Sequence, residues 1–166
     1  MTVMPTYERV SLRNLRVFLK LSIPEDQKRI LSTSNLKTLW QSVIWAPYSK
    51  LFLIRENGCG VGYVYIYCYA KTKKYNVGRL LIDERYQNRG LGRQALLWAL
   101  DYLYSHGAPR VLLSVHPDNA TARKLYESVG FQYCEGHYWG KEMVMMHRPE
   151  QPQDPSVCAC QPNDPE

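Results

Sequence analysis

The chain has 166 residues, enough for one domain with its own core. Hydrophobic residues make up 45% and charged residues 22%, the balance of a soluble globular protein, and no apolar run reaches the ~20 residues of a membrane span. Met1 to Arg13 carries charge early and shows no apolar stretch ending at a small-residue cleavage site, which argues against a secretory signal and makes the cytoplasm the expected location.

The net charge of +6 is unevenly spread. Residues 149–166 hold Glu150, Asp154, Asp164 and Glu166 and no Lys or Arg, leaving residues 1–148 with 21 basic against 11 acidic groups. A basic body suggests an anionic partner: nucleic acid, a membrane surface or a phosphate-rich cofactor. Five cysteines, an odd number without Cys-x-x-Cys or Cys/His spacing, read as buried thiols at Cys59, Cys68 and Cys134, with Cys158 and Cys160 in the tail. No metal is expected.

Tyr7 to Leu12 reads as a short strand, followed by helical spacing over Leu15, Val17, Phe18, Leu19 and Leu21. Pro24 breaks that spacing and suits the first turn of a second helix. That helix starts near Glu25, passes Ile30 and Leu31, and continues towards Leu36, Leu39, Trp40 and Val43 until Pro47 ends it. Leu51–Arg55 and Gly60–Ala70 then flank Asn57-Gly58, a strong hairpin signal. In the second of these strands Tyr63, Tyr65, Tyr67 and Tyr69 share one face, packed under helices, and Tyr63 is a candidate wall of a substrate cleft.

Asn76–Asp83 is a further strand, Gln87 to Gly92 a turn, and Leu91 to about Ser105 a helix. Its apolar residues lie almost all round, which predicts deep burial. Val111–Val115 is a strand, and Pro117-Asp118 starts a helix over Asn119–Val129, with Asp118 as N-cap and Gly130 as the stop. Phe131–Glu135 and Glu142–Met146 form a hairpin around Gly136–Gly140. From Pro149, five prolines in 18 residues predict a disordered tail, so the domain is residues 1–148. Hairpins and crossover helices together imply an α/β (α+β) fold, one mixed sheet with helices on both faces.

The chemistry lies in Leu80-Leu81-Ile82-Asp83-Glu84-Arg85-Tyr86-Gln87-Asn88-Arg89-Gly90-Leu91-Gly92-Arg93. A strand enters a glycine turn that opens a helix. Amides at a helix start lack intrahelical acceptors, and the macrodipole favours an anion there. Glycine permits close approach, and Arg89 and Arg93 add charge, so the turn suits a pyrophosphate. No Gly-Lys-Ser/Thr follows, which excludes a P-loop, and the third glycine of the dinucleotide fingerprint is absent.

Gln87-x-x-Gly90-x-Gly92 after Ile82-Asp83-Glu84-Arg85-Tyr86 resembles the acetyl-CoA signature of the GCN5-related N-acetyltransferase (GNAT) family. The second half of that signature is similar too: Asn119-Ala120-x-Ala122-x-x-Leu125-Tyr126-Glu127-x-x-Gly130-Phe131. The resemblance covers roughly residues 5–147. Ile23-Pro24-Glu25-Asp26-Gln27 and Tyr138-Trp139-Gly140-Lys141-Glu142-x-Val144-Met145 look most like bacterial diamine and polyamine N-acetyltransferases.

The resemblance implies a GNAT fold with a mostly antiparallel sheet of six to seven strands. It implies acetyl-CoA as cosubstrate and a small-molecule amine as acceptor, with no nucleic acid or membrane partner, and it leaves room for a homodimer. The main chain of Leu81 and Ile82 would hold the pantetheine arm. Gln87, Asn88, Arg89, Gly90, Leu91, Gly92 and Arg93 would hold the pyrophosphate. Asn119 would contact the CoA arm, and Tyr126 would lie near the thioester sulfur as general acid; Asn119, Ala122 and Tyr126 share a helix face.

A carboxylate that many relatives place on the strand before the turn falls near Gly78, which cannot serve. His116 and Glu25 or Asp26 are the candidate bases, an ordered water chain is a further route for the proton, and Glu25 and Asp26 could also bind a cationic acceptor. Peptide N-termini, lysines and aminoglycosides are alternative acceptors, and a silent acetyl-CoA sensor is an alternative role.

Overall fold

The computed structural model describes residues 4–24 and 34–149. Its strands are β1 (Thr6–Arg9), β2 (Ser49–Glu56), β3 (Cys59–Tyr69), β4 (Lys74–Ile82), β5 (Val111–Val115), β6 (Gln132–Trp139) and β7 (Glu142–His147). The α-helices among the described residues are α1 (Leu15–Leu19), α2 (Asn35–Ile44), α3 (Leu91–Ser105) and α4 (Ala120–Val129). One sheet holds all seven strands in the order β1-β2-β3-β4-β5-β7-β6. Neighbours are antiparallel except β4 and β5, whose parallel pairing needs a crossover that α3 supplies.

Alternation along β2 and β3 sorts the sheet into two faces. Leu51, Leu53, Tyr63 and Tyr65 pack with Phe18 and Leu21 under α1 and α2. Phe52, Val64 and Ile66 pack with Leu96, Ala99, Leu100 and Leu103 of α3. Helices therefore cover both faces. The tyrosine face of β3 is core at its centre, with Tyr63 fully buried, and opens only towards Tyr67 and Tyr69.

Between the pairs Tyr65–Arg79 and Ile66–Val77, β4 carries one extra residue, Gly78. This bulge lies beneath the Tyr65 ring, 2.8 Å from where a Cβ would stand, so a side chain here would displace the ring. The β4–β5 pairing sits at Asn76 and Leu112, before the bulge. Past Gly78 no further register pair joins the two strands, which leaves a gap in the ladder in the middle of the sheet.

Several elements differ from the sequence expectations. The helix α3 is buried along one stripe (Leu91, Ala95, Leu96, Ala99, Leu100, Leu103), while Leu97 is 46% exposed. A helix lying on an open sheet keeps one side in water however apolar its sequence. Trp98 instead covers the sheet edge, stacked on Tyr7 at 4.1 Å. The last hairpin turns at Gly140 and Lys141, because β6 runs on through an irregularity at Gly136. Ser34, whose hydroxyl accepts from the Lys37 N–H, caps α2, so the stretch from Leu36 to Val43 begins with its own cap instead of continuing an earlier helix. The expected helix start near Glu25, like the 150–166 part of the tail, lies outside the described residues. Cys134 is buried and Cys68 half-buried, but Cys59 is exposed at the hairpin.

Candidate active site

The end of β4 forms one wall of the gap. The Asp83 N–H donates to the Val61 carbonyl at 2.9 Å, which sets the phase of the ladder. Arg79 and Leu81 therefore direct their backbones to β3, while Leu80 and Ile82 turn theirs into the gap. Leu81, expected to share with Ile82 the contact to an extended arm, has its main chain turned to β3 and its side chain in the core beside Tyr63. The Gln87 Nε2 donates to the Ile82 carbonyl at 2.9 Å and ties the turn to the strand.

Asn88 and Gly90 adopt positive φ, 61° and 77°, and bring the chain round into α3. No side chain caps α3, whereas Ser34 caps α2 and Asn119 caps α4. The N–H groups of Leu91, Gly92 and Arg93 are thus left without intrahelical acceptors at the positive end of a 15-residue dipole. A Cβ on Gly90 would meet nothing within 4 Å, so the approach is open. Gly92 serves packing instead. Its Cβ would stand 3.3 Å from Leu125 and 3.9 Å from Ile82, so glycine lets turn, gap and α4 adjoin. Arg89 lies 5.3 Å over the Tyr86 ring and donates to the Arg85 carbonyl at 3.2 Å.

Asp83 anchors this wall. It is fully buried and accepts from the Ser22 N–H at 3.0 Å, the Arg85 N–H at 3.1 Å and the Arg85 guanidinium at 2.8 and 3.1 Å. Burial alone would push its carboxyl up, but hydrogen bonds from Arg85 and Ser22 hold it below the usual range.

Tyr126 of α4 enters from the opposite wall, packed with Phe131 at 6.1 Å between ring centroids. Burial and, after it, the Glu142 carboxylate push its hydroxyl up to about 12, with Arg79 opposing the rise. The hydroxyl is therefore a protonated donor at neutral pH. Two charged side chains act on it, one from β7 and one from β4. Ser114 of β5 donates its hydroxyl to Glu142 Oε2 in a short hydrogen bond. Leu113 and Met145 point to the α3 side, so Ser114 and Glu142 point to the α1–α2 side. Arg79 lies on that side too, where its guanidinium donates to Thr38 Oγ1 of α2 at 3.4 Å. The gap thus has two mouths, one at the turn between β4 and α3 and one lined by Arg79 and Glu142.

The structure sets Gly92 of the turn beside Ile82 of β4 and beside Leu125 of α4, the residue before Tyr126. Other expected site residues are used differently. Asn119, expected on a ligand arm, spans the first turn of α4: its Oδ1 accepts from the Ala122 N–H at 3.1 Å. It replaces the expected cap Asp118, which is exposed. His116, a candidate base, is held by that same turn, with Nδ1 accepting from the Asp118 N–H at 3.3 Å and its carbonyl from the Asn119 N–H at 2.9 Å. Tyr63, a candidate cleft wall, is core: its ring meets Phe18 edge-on at 4.9 Å and its hydroxyl lies 3.5 Å from Thr38 Oγ1. Glu25 and Asp26 lie outside the described residues. Among the described residues no group of three or more His, Cys, Asp or Glu side chains could hold a metal, and no helix is long and apolar enough to cross a membrane.

Sequence reasoning missed Arg79, Ser114 and Glu142 as site residues. One signal was available: Ser114 interrupts the apolar strand Val111-Leu112-Leu113-Ser114-Val115 and needs a partner once buried.

Comparison with known proteins agrees with this geometry. The sequence model of the acetyltransferase (GNAT) family matches residues 20–131. The chain is 38% identical over 89 residues to N-alpha-acetyltransferase RimI of Mycobacterium tuberculosis, covering 52% of this chain and 54% of the relative. It is 39% identical over 77 residues to spermine/spermidine N(1)-acetyltransferase of Bacillus subtilis, covering 46% and 51%. The chain thus spans about half the length of these curated relatives. The crystal structure of PaiA N-acetyltransferase from Thermoplasma acidophilum in complex with coenzyme A superposes with a TM-score of 0.69 at 16% identity, over 87% of this chain and 99% of that one. At that identity the likeness speaks for the fold.

Proposed function

The chain belongs to the acetyltransferase (GNAT) family, and on that premise we propose that it transfers the acetyl group of acetyl-CoA to a primary amine, by direct attack in a ternary complex. The observation that carries the reading is the uncapped start of α3 beside a gap whose far wall presents a protonated tyrosine. The amides of residues 91–93, with Arg89 and Arg93, would hold the diphosphate of the cosubstrate; such charge-assisted hydrogen bonds contribute about 1.5–3 kcal/mol each. The Ile82 backbone, turned into the gap, would hold the pantetheine arm and offer an N–H to the thioester oxygen. Tyr126 would give its proton to the departing sulfur.

The acceptor enters from the mouth lined by Arg79 and Glu142. The finer proposal is a diamine or polyamine such as spermidine, supported by the Glu142 carboxylate and the name of the Bacillus subtilis relative. A peptide amine is the second reading, favoured by Arg79, which opposes a polycation at the same mouth. Release of CoA thiol from acetyl-CoA, measured against spermidine, putrescine, aminoglycosides and short peptides, tests both. We expect turnover with at least one of them. Stabilisation by acetyl-CoA without turnover on any amine would replace the transferase with a sensor.

A further inference from the structure

Resting on this transferase reading, we infer that Glu142, held in place by Ser114, is the carboxylate that takes the proton from the acceptor's ammonium group. Glu142 opens β7, which pairs with β5 through Ser114–Val144 and Val115–Met143, and the Ser114 hydroxyl donates to its Oε2. The Oε1 accepts no hydrogen bond from the described residues. The side chain lies on the α1–α2 side, where the acceptor mouth is, and its charge acts on the Tyr126 hydroxyl.

Among the described residues, the other candidates are otherwise engaged. Asp83 is saturated by Ser22 and Arg85, Glu84 is exposed and accepts from the Ser22 hydroxyl, and His116 belongs to the turn before α4. Gly78 has no side chain to offer, and the space above it is filled by Tyr65. The groups placed near Glu142 among the described residues come from three neighbouring strands and α4. From α4 comes Tyr126 and, across it, Arg79 from β4; β5 contributes the neutral Ser114, and β6 the neutral Trp139 paired beside it.

The acceptor arrives as an ammonium ion against Glu142. One proton passes to the carboxylate and on to water. The freed lone pair forms the C–N bond to the thioester carbonyl carbon. The C–S bond breaks, the sulfur takes the Tyr126 proton, and Tyr126 recovers a proton from the same nitrogen as it becomes an amide. The products are acetamide, CoA thiol and one proton in solvent.

The test is a pH series on Glu142→Gln and Ser114→Ala, with the wild-type enzyme alongside. For Glu142→Gln we expect kcat/KM for the amine to fall about 10²-fold at pH 7, with acetyl-CoA affinity by calorimetry and the melting temperature unchanged. The deficit should shrink as pH approaches the amine's own pKa, because the acceptor then arrives already neutral. Ser114→Ala keeps the carboxylate and should show a smaller deficit with the same narrowing; it carries the test if Glu142→Gln does not fold. A deficit of equal size at pH 7 and pH 10, or rates equal to wild type at both, overturns the proposal. Absent wild-type turnover would sink the transferase reading with it, whereas normal turnover in the folded variants sinks the Glu142 role alone.

Discussion

Tyr126 keeps its hydroxyl proton through burial and the Glu142 carboxylate of β7, against the opposing charge of Arg79 on β4. Removing its hydroxyl leaves the ring packed against Phe131, so Tyr126→Phe should lower kcat by roughly 10²-fold while changing the KM for acetyl-CoA by less than about twofold. Steady-state kinetics in both substrates checks this, and an unchanged kcat would remove the residue as proton donor. The pH dependence follows from the same environment. A hydroxyl raised to about 12 keeps its proton well past pH 10, so the donor is never lost in the ordinary alkaline range. The rate should rise as the amine loses its proton and show no falling limb by pH 10. A decline beginning near pH 8 would point to a different acid.

Secondary-structure elements were legible where their signals are local. The Asn57-Gly58 hairpin, the glycine turn between β4 and α3, and the Gly130 stop of α4 are each written in a few adjacent residues, and each is found in the structure. The contact between Ser114 and Glu142 spans 28 residues and exists only once β5 and β7 have found their register, so no window of sequence shows it. Gly78 reads in the sequence as the loss of a base. Its structural meaning, a bulge under the Tyr65 ring where β4 leaves β5, depends on a third strand. Asp83 was visible as part of a motif but not as a buried anchor joining the end of β4 to Ser22, 61 residues away. Asp83→Asn should therefore destabilise the fold. Charge-assisted hydrogen bonds of this kind contribute about 1.5–3 kcal/mol, which corresponds to a fall in Tm of roughly 5 °C for a chain of this length. Because the carboxyl is held below its unfolded value, this stabilisation is present above pH ~4 and disappears as pH falls through the folded pKa. Thermal melts at pH 7 and pH 3 should show the gap between wild type and variant closing; a gap of the same size at both would mean the ionised carboxylate is not what stabilises the strand end.

At the scale of the whole molecule, the sheet is two halves, β1 to β4 and β5 to β7, joined in the sheet by the parallel pairing at Asn76 and Leu112. A ligand that lies along Ile82 and reaches Tyr126 touches both halves, so its binding should couple them and raise the stability of the folded state. At 100 times its dissociation constant a ligand adds about 2.7 kcal/mol, which for a chain of this length is a rise in Tm of roughly 5–10 °C. The basic surface of residues 1–148 complicates the reading, since any polyanion could stabilise it non-specifically. Fragments separate the two causes. Acetyl-CoA should give the full rise, pantetheine without the diphosphate only a small part of it, and pyrophosphate alone a small rise that vanishes in 0.5 M salt. The acetyl-CoA rise should fall only in part at that ionic strength, because the arm contacts along Ile82 are not screened. If double-stranded DNA raises Tm as much as acetyl-CoA does, and both effects disappear together in salt, then the charge belongs to the surface as a whole, and the turn at Gly90 has no special claim on the diphosphate.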